Sequence, residues 1–152
     1  MKILFVCTGN TCRSPMAQYI FEAEAKKRGI DCECRSAGIA TFTGSPASDN
    51  AVKVMKEIGI DMSGFRSTAI HAVLSDDFDL YVPMTYNHAA ALCQYGVGKS
   101  KIYLISKDVP DPYGGSVDFY RNTRDTLIRD MEKLADFVQS HFGGENDTEN
   151  DG

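Results

Sequence analysis

Lys2-Ile3-Leu4-Phe5-Val6-Cys7-Thr8-Gly9-Asn10-Thr11-Cys12-Arg13-Ser14-Pro15 is the stretch from which the fold can be read. Its first part is a short apolar run with β-branched residues, the pattern of a buried parallel strand. Cys7–Arg13 is polar and turn-rich. Ser14-Pro15 then reads as a helix start, Ser as N-cap and Pro at the first helical position. Met16, Ile20, Phe21 and Ala23 continue the helix to Gly29, and Lys26-Lys27-Arg28 suit the negative end of its dipole.

Working outward, Ile30–Ser36 has strand alternation and Ala47–Ile58 has helical spacing that stops at Gly59. Phe78–Val82 and Lys101–Ile105 read as two more strands, with a helix around Asn87–Tyr95 between them. A last long helix is expected over Ser116–Phe142, with Tyr120, Leu127, Met131, Leu134 and Val138 on its apolar stripe. Strands and helices in alternation predict an α/β three-layer sandwich, with a parallel sheet of about four strands and helices on both faces. Residues 1–142 are expected to form one domain, and 143–152, which carry no apolar side chain, a disordered acidic tail. In parallel sheets ligands bind beyond the carboxyl ends of the strands, which points to the loop Cys7–Arg13.

Composition narrows the function classes. The 152 residues are 43% hydrophobic and 24% charged, an ordinary soluble mixture. The net charge is −5, and Glu145, Asp147, Glu149 and Asp151 account for four of those charges, so the body is nearly neutral. A basic face for nucleic acid is therefore not expected. No apolar run approaches the ~20 residues that span a bilayer, and Lys2–Val6 is followed by polar residues rather than by a signal-peptide core. A cytoplasmic protein without membrane attachment is expected. Five cysteines, an odd number in such a chain, read as reduced thiols rather than a disulfide framework.

The loop itself offers specific chemistry. Amides of a tight turn capped by a helix N-terminus cradle a tetrahedral anion. Gly9 is expected to supply the unusual backbone angles, and Arg13 a planar two-pronged donor for phosphate oxygens. At the strand end, Cys7 would have its thiolate favoured by the same dipoles and by Arg13, giving a nucleophile aimed at bound phosphate. A bare Cys-x5-Arg is a weak pattern; the strand before it and the Ser-Pro helix start after it sharpen it.

Val6–Ala17 resembles the signature of the low-molecular-weight protein phosphatases. Ser36-Ala37-Gly38, Gly44-Ser45-Pro46-Ala47, Asp77-Phe78-Asp79-Leu80 and Asp111-Pro112-Tyr113-Gly114-Gly115 extend the likeness along residues 1–142. The resemblance implies a role for each position. Cys7 becomes phosphocysteine, Arg13 clamps the equatorial oxygens, and Thr8, Gly9, Asn10, Thr11, Cys12 and Ser14 hold the rest of the phosphate. Ser14 donates to the thiolate, Asn10 braces the loop, Asp111 is acid and then base, and Tyr113 walls the cleft, with Phe42 a further aromatic there. No metal and no cofactor are implied. The partners are phosphorylated proteins, with inorganic phosphate released. Pro110 and Pro112 flank Asp111 and hold it in extended backbone, and a dianionic phosphate favours protonation of a carboxyl beside it. Gln18 departs from the Glu often found there, and the chain has no Trp.

Thr11 stands where tyrosine phosphatases of the family commonly carry an aliphatic residue, and it resembles the bacterial protein-arginine phosphatase branch. A phosphoarginine preference is therefore expected, with phosphotyrosine as the alternative. An arsenate reductase of the same fold is disfavoured, because only Cys93 follows where a close pair of cysteines is needed. A non-catalytic phosphate-binding module is disfavoured by the presence of both Cys7 and Asp111. Gly98-Lys99-Ser100 imitates a nucleotide-binding loop but precedes a strand. Cys32-x-Cys34 reads as core thiols, since two ligands do not close a metal site. His71, His88 and His141 read as surface or helix-end residues. Cys12, five residues from Cys7, could form a reversible disulfide with it.

Overall fold

The computed structural model describes residues 1–143. The expected tail 143–152 lies outside that range, save for Gly143. Three parallel strands form the sheet: β1 (Lys2–Cys7) in the centre, β2 (Glu33–Gly38) on one side and β3 (Leu80–Pro83) on the other. Among the described residues four α-helices accompany it: α1 (Arg13–Arg28), α2 (Asp49–Lys56), α3 (Tyr86–Gln94) and α4 (Val117–Phe142). Alternate residues of β1 serve two apolar clusters. Ile3 and Phe5 pack with Met16 and Phe21 of α1, Val54 of α2 and Leu134 of α4. Leu4 and Val6 pack with Ile70, Phe78 and Leu92. Burying a side chain such as Ile3 or Phe5 contributes about 1.5–3 kcal/mol, and both are fully buried.

The sheet has three strands, not about four. Lys101–Ile105 makes a single bridge, Ile102 to Tyr81, preceded by a 3-10 turn at Lys99–Lys101. Tyr103 N donates to Tyr81 O at 2.9 Å. The next rung would need an N–H from Pro83, which has none. The segment leaves the sheet edge and returns where Val109 N donates to Met84 O at 2.9 Å, carrying the 109–115 loop to the carboxyl end of β1.

Other boundaries shift for local reasons. Ile30 is not in a strand: Gly29, at φ 73°, ends α1, and Ile30 N donates back to Ala25 O at 2.8 Å. β2 begins only at Glu33, in register with Lys2. Ser48 caps α2 by accepting from Ala51 N, so that helix starts at Asp49. At α1 the expected cap is wrong. The helix begins at Arg13, its N-cap is Cys12 without a side-chain bond, and Pro15 is its third residue. The Ser14 hydroxyl is engaged elsewhere.

Candidate active site

The β1–α1 loop, together with Asp111 and Tyr113, lines a cavity of about 210 Å³ that holds Cys7, Thr8, Gly9, Asn10, Thr11, Cys12 and Arg13. Ser14 stands beneath it, fully buried. Asn10 Nδ2 donates to Ser14 Oγ at 2.9 Å, which leaves the Ser14 hydroxyl proton for Cys7 Sγ, 2.8 Å away. Asn10 N donates to the same sulfur at 3.2 Å, and Thr68 N donates to Asn10 Oδ1 at 2.8 Å. Asn10 thus ties the loop to the segment after α2.

The unusual backbone angle belongs to Asn10, at φ 52°, and not to Gly9. Asn tolerates this left-handed region through its short polar side chain. A Cβ on Gly9 would meet only Thr11 Oγ1, at 3.7 Å. Gly38 carries the steric requirement instead. A Cβ there would stand 2.7 Å from Thr8 O and 3.0 Å from Asn10 Cβ.

Burial pushes the Cys7 thiol up, against the expectation of a favoured thiolate. Opposing it are the Ser14 hydroxyl and amide, the Arg13 charge and the Asn10 amide. The stabilising groups are all present, but in a fully buried position desolvation outweighs them.

Arg13 is buried, and Asp111 anchors one prong of its guanidinium: Nη2 lies 3.6 Å from Asp111 Oδ2, while Nη1 donates to Val109 O at 3.1 Å. Asp111 is half exposed and accepts from Tyr113 N at 3.1 Å, an Asx turn that fixes its carboxyl. Tyr113 is exposed at the rim. Phe42 does not line the cavity; it is 87% exposed on the loop beside it. Ser48 N donates to Thr11 O at 3.0 Å and so holds the far side of the loop. Cys12 Sγ donates to Ser48 Oγ at 3.3 Å and lies 3.4 Å from the Tyr120 hydroxyl, whereas Cys7 has its own partners; both thiols are free.

Sequence reasoning missed His88. It is buried, with Nε2 2.8 Å from Thr8 Oγ1 and Nδ1 2.9 Å from Thr85 Oγ1. The sequence placed it at the start of the helix expected around Asn87–Tyr95 and read it as a surface or helix-end residue; nothing local marked the contact with Thr8, 80 residues away. Among the remaining motifs, Cys32 and Cys34 are half-buried with sulfurs 3.7 Å apart. Among the described residues no group of three His, Cys, Asp or Glu is placed to hold a metal, and no helix is long and apolar enough to cross a membrane. Gln18 donates to Glu22 and to Cys34 O, away from the cavity.

A buried cysteine under a helix N-terminus, with an arginine and a carboxyl on one small cavity, defines a cysteine-based phosphatase on a parallel α/β sheet. The chain belongs to the low molecular weight phosphotyrosine protein phosphatase family, which it matches over residues 2–142; it is a hydrolase. It is 36% identical over 143 residues to the protein-arginine-phosphatase of Bacillus subtilis strain 168, spanning 89% of this chain and 95% of that one. Its fold is similar to that of the YwlE arginine phosphatase, solved as a C7S mutant with a phosphorylated active-site serine. The TM-score is 0.86 at 33% identity, covering 93% of this chain and 98% of that one. It is also similar to the low molecular weight protein tyrosine phosphatase from T. tengcongensis, with TM-score 0.83, 41% identity, and 90% and 98% of the two chains covered.

Proposed function

We propose that residues 1–142 form a cytoplasmic protein phosphatase that prefers phosphoarginine and works through a phosphocysteine intermediate. The observation that carries this reading is the convergence of Cys7, Arg13, Asp111 and Thr11 on one cavity large enough for a phosphoryl group and the head of a side chain. Cys7 Sγ first gives up its proton to solvent. The thiolate, held by the Ser14 hydroxyl and the Arg13 charge, then attacks phosphorus, forming the S–P bond as the P–N bond to the guanidine breaks. Asp111 gives its proton to the departing nitrogen. It then takes a proton from the water that attacks phosphorus, breaking the S–P bond and releasing inorganic phosphate. Arg13 and the loop amides Thr8–Ser14 hold the equatorial oxygens, and the Ser14 hydroxyl donates to the sulfur whenever it is a thiolate. The trapped phosphoserine of the related YwlE variant supports a covalent route.

Thr11 supports the substrate assignment: a small polar side chain can hydrogen-bond a guanidinium, where an aliphatic one offers only a surface to a phenyl ring. The B. subtilis arginine phosphatase supports the same reading. A phosphotyrosine preference is the second reading, favoured by the 41% identity to the T. tengcongensis tyrosine phosphatase. The deciding experiment is kcat/KM on a phosphoarginine and a phosphotyrosine peptide, for the wild type and Thr11→Ile, with Cys7→Ser as the blank. A wild type that favours phosphoarginine and loses that preference in Thr11→Ile is expected. A wild type that favours phosphotyrosine rejects the arginine assignment.

A further inference from the structure

His88 is the third residue of α3, yet its ring is turned inward to the β1–α1 loop and bridges two hydroxyls. Thr85 Oγ1 already accepts the backbone N–H of His88 as the cap of α3, at 3.2 Å. Nδ1 lies 2.9 Å from the same hydroxyl, whose proton is available to it. A neutral imidazole with an acceptor at Nδ1 carries its proton on Nε2, and Nε2 faces Thr8 Oγ1 at 2.8 Å. In that tautomer Thr8 Oγ1 accepts from Nε2–H, and the Thr8 proton is left for the cavity that Thr8 lines. The ring stays neutral at pH 7. Burial first, and then the Arg13 charge, pull its pKa down to about 4 against the opposing pull of Asp108 and Asp111.

We propose that the Thr85–His88–Thr8 relay makes the Thr8 hydroxyl a fixed hydrogen-bond donor to the bound phosphoryl group, with His88 as the positioning residue. This rests on reading the Cys7–Ser14 loop as the phosphate site. The rest of Thr8 is held as well: its carbonyl accepts from Ala40 N at 3.0 Å. Losing the relay therefore frees the hydroxyl while the backbone keeps its place. Such a donor needs no reorganisation as charge builds on the phosphoryl oxygens.

The test compares wild type, Thr8→Val, Thr8→Ser, His88→Ala and the Thr8→Val/His88→Ala double variant. Each is assayed for kcat and KM on a phosphoarginine peptide and on p-nitrophenyl phosphate, and for inhibition by inorganic phosphate. A charge-assisted hydrogen bond corresponds to roughly a ten- to hundredfold effect. Thr8→Val and His88→Ala should each lose about that much kcat/KM, Thr8→Ser, which keeps the hydroxyl, should recover most of what Thr8→Val loses, and the double variant should be no worse than either single. The 15N shifts of His88 should report the Nε2–H tautomer at pH 7. Additive losses in the double variant, a wild-type rate in Thr8→Val, or an Nδ1–H tautomer would each overturn the relay. Thr8 is exposed, so Thr8→Val tests the relay even if His88→Ala fails to fold. A wild type that neither turns over phosphorylated substrates nor binds inorganic phosphate at the loop would overturn the reading of the loop itself.

Discussion

Arg13 Nη2 stands 3.6 Å from Asp111 Oδ2, and the same guanidinium reaches Val109 O with Nη1. One buried arginine thus ties the β1–α1 loop to a segment about a hundred residues later in the chain, and it sets the carboxyl over the cavity. The contact also creates competition, since a phosphoryl group and Asp111 both call on that guanidinium.

Asp111→Asn keeps the shape and the Asx turn but cannot supply a proton. On the proposed mechanism kcat should fall about 10²–10⁴-fold, with KM changed far less. The loss should be smaller on p-nitrophenyl phosphate, whose leaving group needs less protonation. Steady-state kinetics on both substrates checks this, and equal losses on the two would remove Asp111 as the acid.

Ser14→Ala deletes the hydroxyl that faces Cys7 Sγ. That group lowers the thiol pKa in opposition to burial, so removing it raises the pKa further. The acid limb of the kcat/KM profile should therefore move to higher pH. The pH dependence of iodoacetamide alkylation, with loss of activity as readout, should move the same way; an unmoved profile would show that Ser14 does not act on the sulfur.

Gly38→Ala puts a methyl 2.7 Å from Thr8 O, a backbone atom that cannot swing aside. The β1–α1 loop must shift, and a shift of a few tenths of an ångström at a preorganised site is expensive. We expect a loss of kcat/KM of about tenfold or more, together with a lower Tm by thermal melting. Gly9→Ala, which meets only a flexible hydroxyl at 3.7 Å, should cost far less.

Glu57 accepts from Arg121 and Arg124 and links α2 to α4. The two arginines, Arg121 foremost, hold its carboxyl down to about 2. A depressed carboxylate stabilises the fold above its unfolded pKa, and that contribution is lost as pH falls through the folded value. The Tm difference between wild type and Glu57→Gln should therefore be full at pH 7 and shrink between about pH 4.5 and pH 2. A difference that does not change over that window would assign the clamp no electrostatic part.

Residues close in sequence determined much of this protein. The run from Lys2 to Pro15 carries a strand, a turn and a helix start in its own side chains, because local backbone preference and apolar spacing are properties of neighbours. The types of Cys7, Arg13 and Asp111 also announced phosphate chemistry. Pro83 was readable too, since a missing N–H can be seen in the sequence, but its effect on the fourth strand required knowing which way its edge faced. Tertiary structure alone decided that Ser14 does not cap α1, that Asn10 and not Gly9 takes the left-handed turn, and that His88 lies buried against Thr8. Only the fold could put burial above the charges at Cys7. These outcomes depend on partners such as Thr68, Val109 and Gly38, each distant along the chain. Desolvation and hydrogen-bond geometry are fixed by what packs around a group, and that is set only when the whole chain has closed.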